Sequence, residues 1–277
     1  MPKKLLISDL DGTLLDSVLQ LSQNLSDKLN RLLKKGIDFT IATGRDFENT
    51  KIALYNTHIQ NPIVLTNGAI MADFPSGSVI EYLTIPSETV NHIHTLAESF
   101  GLKTMVFASY DETCNYPRFI KGDWWDPHEI RRLDLTEYEK FLNEPVISIQ
   151  FMNTIECLSE MYSQSLKNSE IQSHTHILFF EDAFLRGTYW LEYNPKQARK
   201  EIMVESLVRK KGYSLENTVV FGDNYNDVGM FQLVKDGTIV VVENAPDEIK
   251  KYADYIVPAN TEGGVFHFIE KHIEELI

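Results

Sequence analysis

The sequence predicts an α/β protein, a parallel sheet wrapped by helices, interrupted by a separate α+β domain. Three observations predict it. Short apolar runs end abruptly in polar residues, helical stripes separate those runs, and the rhythm breaks between residues 83 and 189 before it returns.

Leu5-Leu6-Ile7 reads as a buried parallel strand, because a strand covered on both faces is a continuous apolar run. Leu21, Leu25, Leu29, Leu32 and Leu33 then form one helical stripe. Lys34 and Lys35 lie in its last turn, and Gly36 suits its C-terminal end. Phe39–Ala42 is a second strand ending at Thr43-Gly44-Arg45, and a helix follows to about Asn56. Ile63-Val64-Leu65 is a third strand of the same kind, ending at Thr66-Asn67-Gly68. Beyond Leu83 the strands alternate more, as in Lys103–Phe107 and Val146–Phe151. His176–Phe180 and Tyr189–Tyr193 look like a strand pair. The βα rhythm resumes with a helix near 197–211, strands at Thr218–Phe221 and Ile239–Val242, a helix from Pro246 to Tyr252 and a last one near 263–276. The expected organisation is a core domain in two segments, 1–82 and 190–277, with an α+β domain inserted at 83–189.

The chain has 277 residues, 43% apolar and 24% charged, enough for well-buried cores of ordinary composition. It contains no apolar run of the ~18 residues that a membrane helix requires. The stretch Met1–Ile7 is too short for a signal-peptide core and has no small-residue cleavage site. Cys114 and Cys157 sit in no CxxC or Cys/His cluster, so neither a disulfide framework nor a structural zinc site is expected, and a cytoplasmic location fits. A net charge of -14 argues against nucleic acid or an anionic membrane as partner. It would also repel a phosphate, so a phosphate substrate would need local positive charge.

The polar motifs that carry chemistry share one place, the carboxyl end of an expected parallel strand, where open α/β sheets bind ligands. They are Asp9-Leu10-Asp11-Gly12-Thr13, Thr43-Gly44-Arg45, Thr66-Asn67-Gly68 and Gly222-Asp223-Asn224-Tyr225-Asn226-Asp227. Asp9 and Asp11 leave a strand together and could grip a divalent cation, with Gly12 allowing the turn. The structural alternative is an Asx-turn. A calcium loop is rejected, because its glycine and glutamate positions fall on Leu14 and Gln20 counted from Asp9, and on Val228 and Val234 counted from Asp223. Asp223 could complete an oxygen cage for Mg²⁺, or it could simply cap a helix. With Asp9 and Asp11 on the same edge, the metal reading is preferred.

Together these motifs resemble the haloacid dehalogenase superfamily of phosphatases, and most closely its Cof-type branch, type IIB. Asp9–Leu14 matches the first motif, Ile41–Arg45 the second, and Gly222–Asp227 the fourth. Asn244–Lys250 and Gly263-Gly264-Val265 resemble the branch's C-terminal elements. For the third motif Lys196, Arg199 and Lys200 compete. Register against Glu192-Tyr193-Asn194-Pro195 favours Lys200, which precedes Glu201 where the branch usually has glycine.

The resemblance implies a Rossmann-like core with an inserted α+β cap of the C2B type. It also implies a Mg²⁺-dependent phosphomonoesterase. Asp9 would be the nucleophile and Asp11 the general acid and base, with Mg²⁺ held by Asp9, Asp11 through its carbonyl, and Asp223. Leu10 and Gly44 through their N–H groups, Thr43, Lys200 and Asn226 would hold the phosphate. Asp227 would orient Lys200 or metal-bound water, while Asn67, Gly68 and Arg45 could contact substrate; for Arg45 a structural ion pair is equally open. The expected partner is a small phosphorylated metabolite, sugar phosphates by default, with flavin mononucleotide and pyridoxal phosphate also open. The expected assembly is a monomer or weak homodimer.

Two further clusters have plainer readings. Arg118, Lys121, Asp123, Trp124, Trp125 and His128 could stack on a sugar or flavin, but paired tryptophans usually form domain core. His92/His94 and His174/His176 would share a face on a strand, but no third metal ligand accompanies them. The rival functions are a phosphomutase or phosphotransferase on the same core, and a non-catalytic phosphometabolite-binding regulator. Intact Asp9, Asp11 and Asp223 argue against the regulator. Neither GxxxxGK[ST] nor GxGxxG occurs, which removes the common nucleotide-binding loops.

Overall fold

Leu5–Ser8 forms β1 with all four side chains buried, as a central parallel strand requires. The computed structural model describes residues 3–16, 20–102, 106–109, 119–120, 132–133, 145–181 and 186–277. Helix α1, Gln23–Lys34, starts where the Ser22 hydroxyl accepts the Leu25 N–H, and it buries Leu29 and Leu32. Strand β2, Asp38–Ile41, pairs parallel with β1 in the register Leu5–Asp38 to Ser8–Ile41. Helix α2, Phe47–Ala53, begins at Asp46, whose carboxylate accepts the Asn49 N–H.

The third expected strand departs from the expected sheet. Strand β3, Pro62–Leu65, pairs antiparallel with β4, Ile70–Asp73, and a three-stranded sheet is completed by β5, Val79–Tyr82. Only a single parallel bridge, Ala42 to Val64, continues it from the end of β2. An apolar run records burial, not the direction of its partner, which here is set by the turn at 66–68.

By contacts the chain forms two units, Met1–Glu81 with Arg199–Ile277, and Tyr82–Ala198. The second unit holds α3, Ser87–Ser99; β6, Val106–Ser109; β7, Phe119–Ile120; β8, Arg132–Leu133; β9, Val146–Thr154; α4, Ile155–Ser165; α5, Ser169–His174; β10, Thr175–Glu181; and β11, Thr188–Pro195. Its main sheet runs β10-β11-β9-β6, each neighbour antiparallel. The strand pair expected at 176–193 is β10 with β11, and the second strand clusters with this unit. Alternate residues of β9 and β11, among them Ile149, Phe151, Leu191 and Tyr193, share a core with Ile93 of α3 and Leu158 of α4.

The first unit resumes with α6, Lys200–Lys210, then β12, Thr218–Gly222; α7, Val228–Leu233; β13, Thr238–Val242; α8, Asp247–Lys250; and β14, Tyr255–Val257. It closes with α9, Gly264–Lys271, and α10, Ile273–Leu276, so the single terminal helix expected is broken at His272. Its parallel sheet has the order β14-β13-β12-β1-β2, which places β12 beside β1 although 210 residues separate Ser8 from Thr218. Among the described residues no helix is long and apolar enough to cross a membrane.

Candidate active site

Parallel neighbours end at the same edge of a sheet, so pairing β1 with β12 decides which loops meet. Ser8 lies opposite Phe221, and the Asp9 N–H still donates to the Phe221 carbonyl at 3.0 Å. Asp9 and Asp223 therefore emerge side by side. The loop after Asp9 folds over its own start, the Leu10 carbonyl accepting the N–H groups of Thr13, Leu14 and Leu15. The Thr13 hydroxyl then donates to Asp223 Oδ1 at 2.6 Å. Gly12, at φ +83°, leaves the room: a Cβ there would lie 2.5 Å from Asp223 Oδ2.

Carboxylate oxygens of Asp9, Asp223 and Asp227 lie within 4.8 Å of one another, and all three residues are buried. Lys200, 2% exposed at the start of α6, donates to Asp9 Oδ1 at 2.5 Å and to Asp227 Oδ1 at 2.8 Å. The other Asp227 oxygen accepts the Asp223 N–H at 3.0 Å and the Asn224 N–H at 3.1 Å. Asp227 is thus occupied on both oxygens, whereas Asp9 and Asp223 each keep one oxygen clear of these bonds.

Three buried carboxylates face one ammonium, an excess of two negative charges. Burial pushes Asp9 up to about 8, against the opposing pull of Lys200. Burial likewise pushes Asp223 up to about 6, against the hydrogen bond from Thr13. Burial alone would lower the Lys200 ammonium, but Asp227 and Asp9 outweigh it and hold the proton more tightly than usual. A hard divalent cation suits this donor set, because it would match carboxylate oxygens in kind and the excess charge in amount.

Asp11 stands apart from that cluster. Its carboxylate, 44% exposed, is forked by Arg45, with Nε donating to Oδ2 at 2.8 Å and an Nη to Oδ1 at 2.5 Å. Of the two readings left open for Arg45, an ion pair is what the geometry contains. Thr43 is wholly buried, its hydroxyl oxygen accepting the Arg45 N–H at 3.1 Å, while Gly44 is exposed beside it. Asn67 and Gly68 form a turn tied to Thr43, whose carbonyl accepts the Asn67 N–H. Asn226 is exposed on the turn between Asp223 and Asp227.

Among the three basic candidates near α6, only Lys200 reaches Asp9; Lys196 donates instead to the Gln172 carbonyl, and Arg199 is exposed beside Glu201. Glu201, where the branch usually has glycine, lies over Gly229 of α7. The histidine pairs do not share a face. His92 and His94 are on helix α3, where i and i+2 diverge, and His174 ends α5 while His176 lies in β10. The cluster Arg118, Lys121, Asp123, Trp124, Trp125 and His128 falls outside the described residues.

Two residues with no role read from the sequence also shape the site. The Asn244 amide donates to the Gly12 carbonyl at 2.8 Å, and the Asn260 amide to the Leu15 carbonyl at 2.7 Å. Nothing local in either loop signals a contact with a turn more than 230 residues away.

The model of the haloacid dehalogenase-like hydrolases matches residues 6–269, both core segments and the insertion between them. The chain belongs to that family. This hydrolase is 24% identical over 97% of each chain to the 5-amino-6-(5-phospho-D-ribitylamino)uracil phosphatase YwtE of Bacillus subtilis. It is 22% identical to the pyridoxal phosphate phosphatase YbhA of Escherichia coli, over 99% of this chain and all of that one. Among solved structures it is similar to TM0651 of Thermotoga maritima, with 26% identity, a TM-score of 0.78 and 97% of both chains covered. Matches of this length include the insertion after the second motif that marks the Cof-type branch.

Proposed function

We propose that this hydrolase is a Mg²⁺-dependent phosphomonoesterase for small phosphorylated metabolites, working through phosphorylated Asp9. The observation that carries the reading is the meeting of Asp9, Asp223 and Lys200, from opposite ends of the chain, in one buried cluster at the sheet's ligand edge. Relatives named for phosphatase activity on ribityl and pyridoxal phosphates support the substrate class, and sugar phosphates stay the default expectation.

A carboxylate approaching a phosphate dianion is repelled by roughly 4 kcal/mol per pair of unit charges at about 4 Å and an effective dielectric near 20. Asp9 and Asp223, with the Asp11 carbonyl, would hold Mg²⁺. When bound, the ion would supply Lewis-acid charge that offsets this repulsion and polarises the phosphoryl group. Lys200 gives a second positive charge beside Asp9, at 2.5 Å. The Thr43 hydroxyl, the N–H groups of Leu10 and Gly44, and Asn226 hold the remaining phosphate oxygens. Asp227 contacts no substrate and keeps Lys200 in place from behind.

In the first step an Asp9 oxygen forms a bond to phosphorus, the bond to the leaving oxygen breaks, and Asp11 gives that oxygen its proton. In the second, water attacks the same phosphorus, Asp11 takes its proton, and the bond to Asp9 breaks to release inorganic phosphate. The Arg45 fork occupies both Asp11 oxygens, so the proton-bearing oxygen must first leave Arg45.

A panel of phosphate esters assayed with Mg²⁺ and with a chelator tests the reading. Turnover should need the metal and vanish in Asp9→Asn. Equal rates with chelator, or an active Asp9→Asn protein, would overturn it.

A further inference from the structure

The main sheet of the second unit ends in an undefended edge. Among the described residues β10 is its outermost strand, and all seven residues, Thr175–Glu181, pair with β11 in one unbroken register. Natural edge strands are usually guarded against pairing with another chain by shortness, lysine, proline or a bulge. The edge strand β14 of the parallel sheet, with three residues, shows the first of these. Strand β10 shows none. It is longer than a typical strand and reads Thr-His-Ile-Leu-Phe-Phe-Glu. Ile177, Leu178 and Phe179 are half-buried, and Phe180 is 44% exposed.

The ladder to β11 decides which backbone groups are left over. The Lys196 N–H donates to the His174 carbonyl at 2.8 Å. In antiparallel pairing, residues that exchange such bonds alternate with residues whose N–H and C=O point away. In this register His176, Leu178 and Phe180 turn their backbone groups toward β11, and Thr175, Ile177, Phe179 and Glu181 turn theirs outward. The Thr175 N–H is taken by the Ile171 carbonyl of α5. Ile177, Phe179 and Glu181 thus present three N–H and three C=O groups along the outer side of the strand.

We infer that β10 is the interface of a homodimer, in which two copies pair antiparallel, edge to edge, and join their sheets into one. The outward row is its own complement. With a two-fold axis at Phe179, that residue meets its own copy, and Ile177 meets Glu181 of the partner subunit. Each chain's outward N–H groups then reach the other's outward carbonyls. Ile177 and Phe179 lie on the side of the cap core, so Leu178 and Phe180 occupy the opposite face. There Leu178 lies across from Phe180 of the partner subunit, an apolar pair of the kind that stabilises sheets. No like charges are set opposite one another, since Glu181 is the one acidic side chain of the strand. A foreign peptide would use the same backbone groups, but the two-fold symmetry guarantees these matches only to a second copy.

One strand pairing buries less than a standard interface, so the dimer is weak and depends on concentration. Its test is sedimentation of the purified full chain from about 5 µM to about 500 µM, in about 0.5 M salt to screen the repulsion between acidic copies. The mass should rise from 31.8 kDa toward twice that value. Hydrogen exchange at both concentrations locates the contact: β10 should slow several-fold at the higher one, while β14 stays the same. Ile177→Pro removes an outward N–H without breaking the ladder to β11, and Phe180→Lys adds a charge of the kind that guards natural edges. Each variant, shown to be folded by a thermal melt, should stay at 31.8 kDa throughout. A monomer at every concentration, association without slower exchange in β10, or dimers in both variants would overturn the inference. If a variant does not fold, exchange in the native chain still decides.

Discussion

At the scale of single residues, the site depends on a few charges whose neighbours decide their behaviour. Lys200 is the clearest case, since it alone among the hydrogen-bonded partners offsets buried Asp9 and Asp227. Lys200→Met should lower stability by about 3–5 kcal/mol, because removing one partner leaves uncompensated buried charge. Thermal melts should show this loss, and added Mg²⁺ should recover part of it. Asp11 is exposed and tied to Arg45, so its substitution should spare the fold and strike the proton transfer. Asp11→Asn should slow alkyl phosphates by roughly 10²–10⁴-fold. It should slow p-nitrophenyl phosphate less at its first step, because that leaving group departs without a proton. Pre-steady-state bursts on the two esters check it. Thr13, Asn244 and Asn260 were the residues whose contacts could not be read ahead. Each meets a partner far along the chain, and no local pattern of one side chain encodes that meeting.

At the scale of elements, short buried strands explain both the successes and the misreading. The apolar runs at 5–7, 39–42 and 218–221 were legible as parallel strands because both faces of each are covered. The run at 63–65 has the same composition but turns back on itself through the left-handed residues 66–68. In β11 one residue works against its environment. Burial pushes Glu192 up to about 7, only partly offset by the Asn194 side chain. A carboxyl raised in the folded state contributes stability fully below its ordinary value and loses it as pH rises through the folded value. Between roughly pH 4.5 and pH 7 the native protein should therefore lose stability that Glu192→Gln, which cannot ionise, retains. Melting temperatures of the two proteins should coincide near the acid end and separate toward neutrality; parallel curves would contradict this.

At the scale of the whole molecule, a chain with net charge -14 concentrates buried carboxylates at the one place proposed to bind an anion. With folded values of about 8 for Asp9 and about 6 for Asp223, the metal-free protein binds more protons folded than unfolded in that range. Its stability should fall as pH rises through it. Mg²⁺ competes with those protons, so the stabilisation it gives should be larger at about pH 8 than at about pH 5.5. Melts with Mg²⁺ and with chelator at both conditions measure the difference, and an equal shift at both would disprove the linkage.

By itself the sequence determined the βα rhythm, the inserted domain, and the identity of Asp9, Asp11 and Asp223 as the residues to watch. Those features are local, written in runs of a few residues at strand ends. Only the tertiary structure decided that Lys200 rather than Lys196 faces Asp9, that Arg45 grips Asp11, and that 66–68 is a strained turn with unpaired polar atoms. The physical reason is that strand order brings β12 against β1, and which side chains then meet depends on packing across the whole sheet.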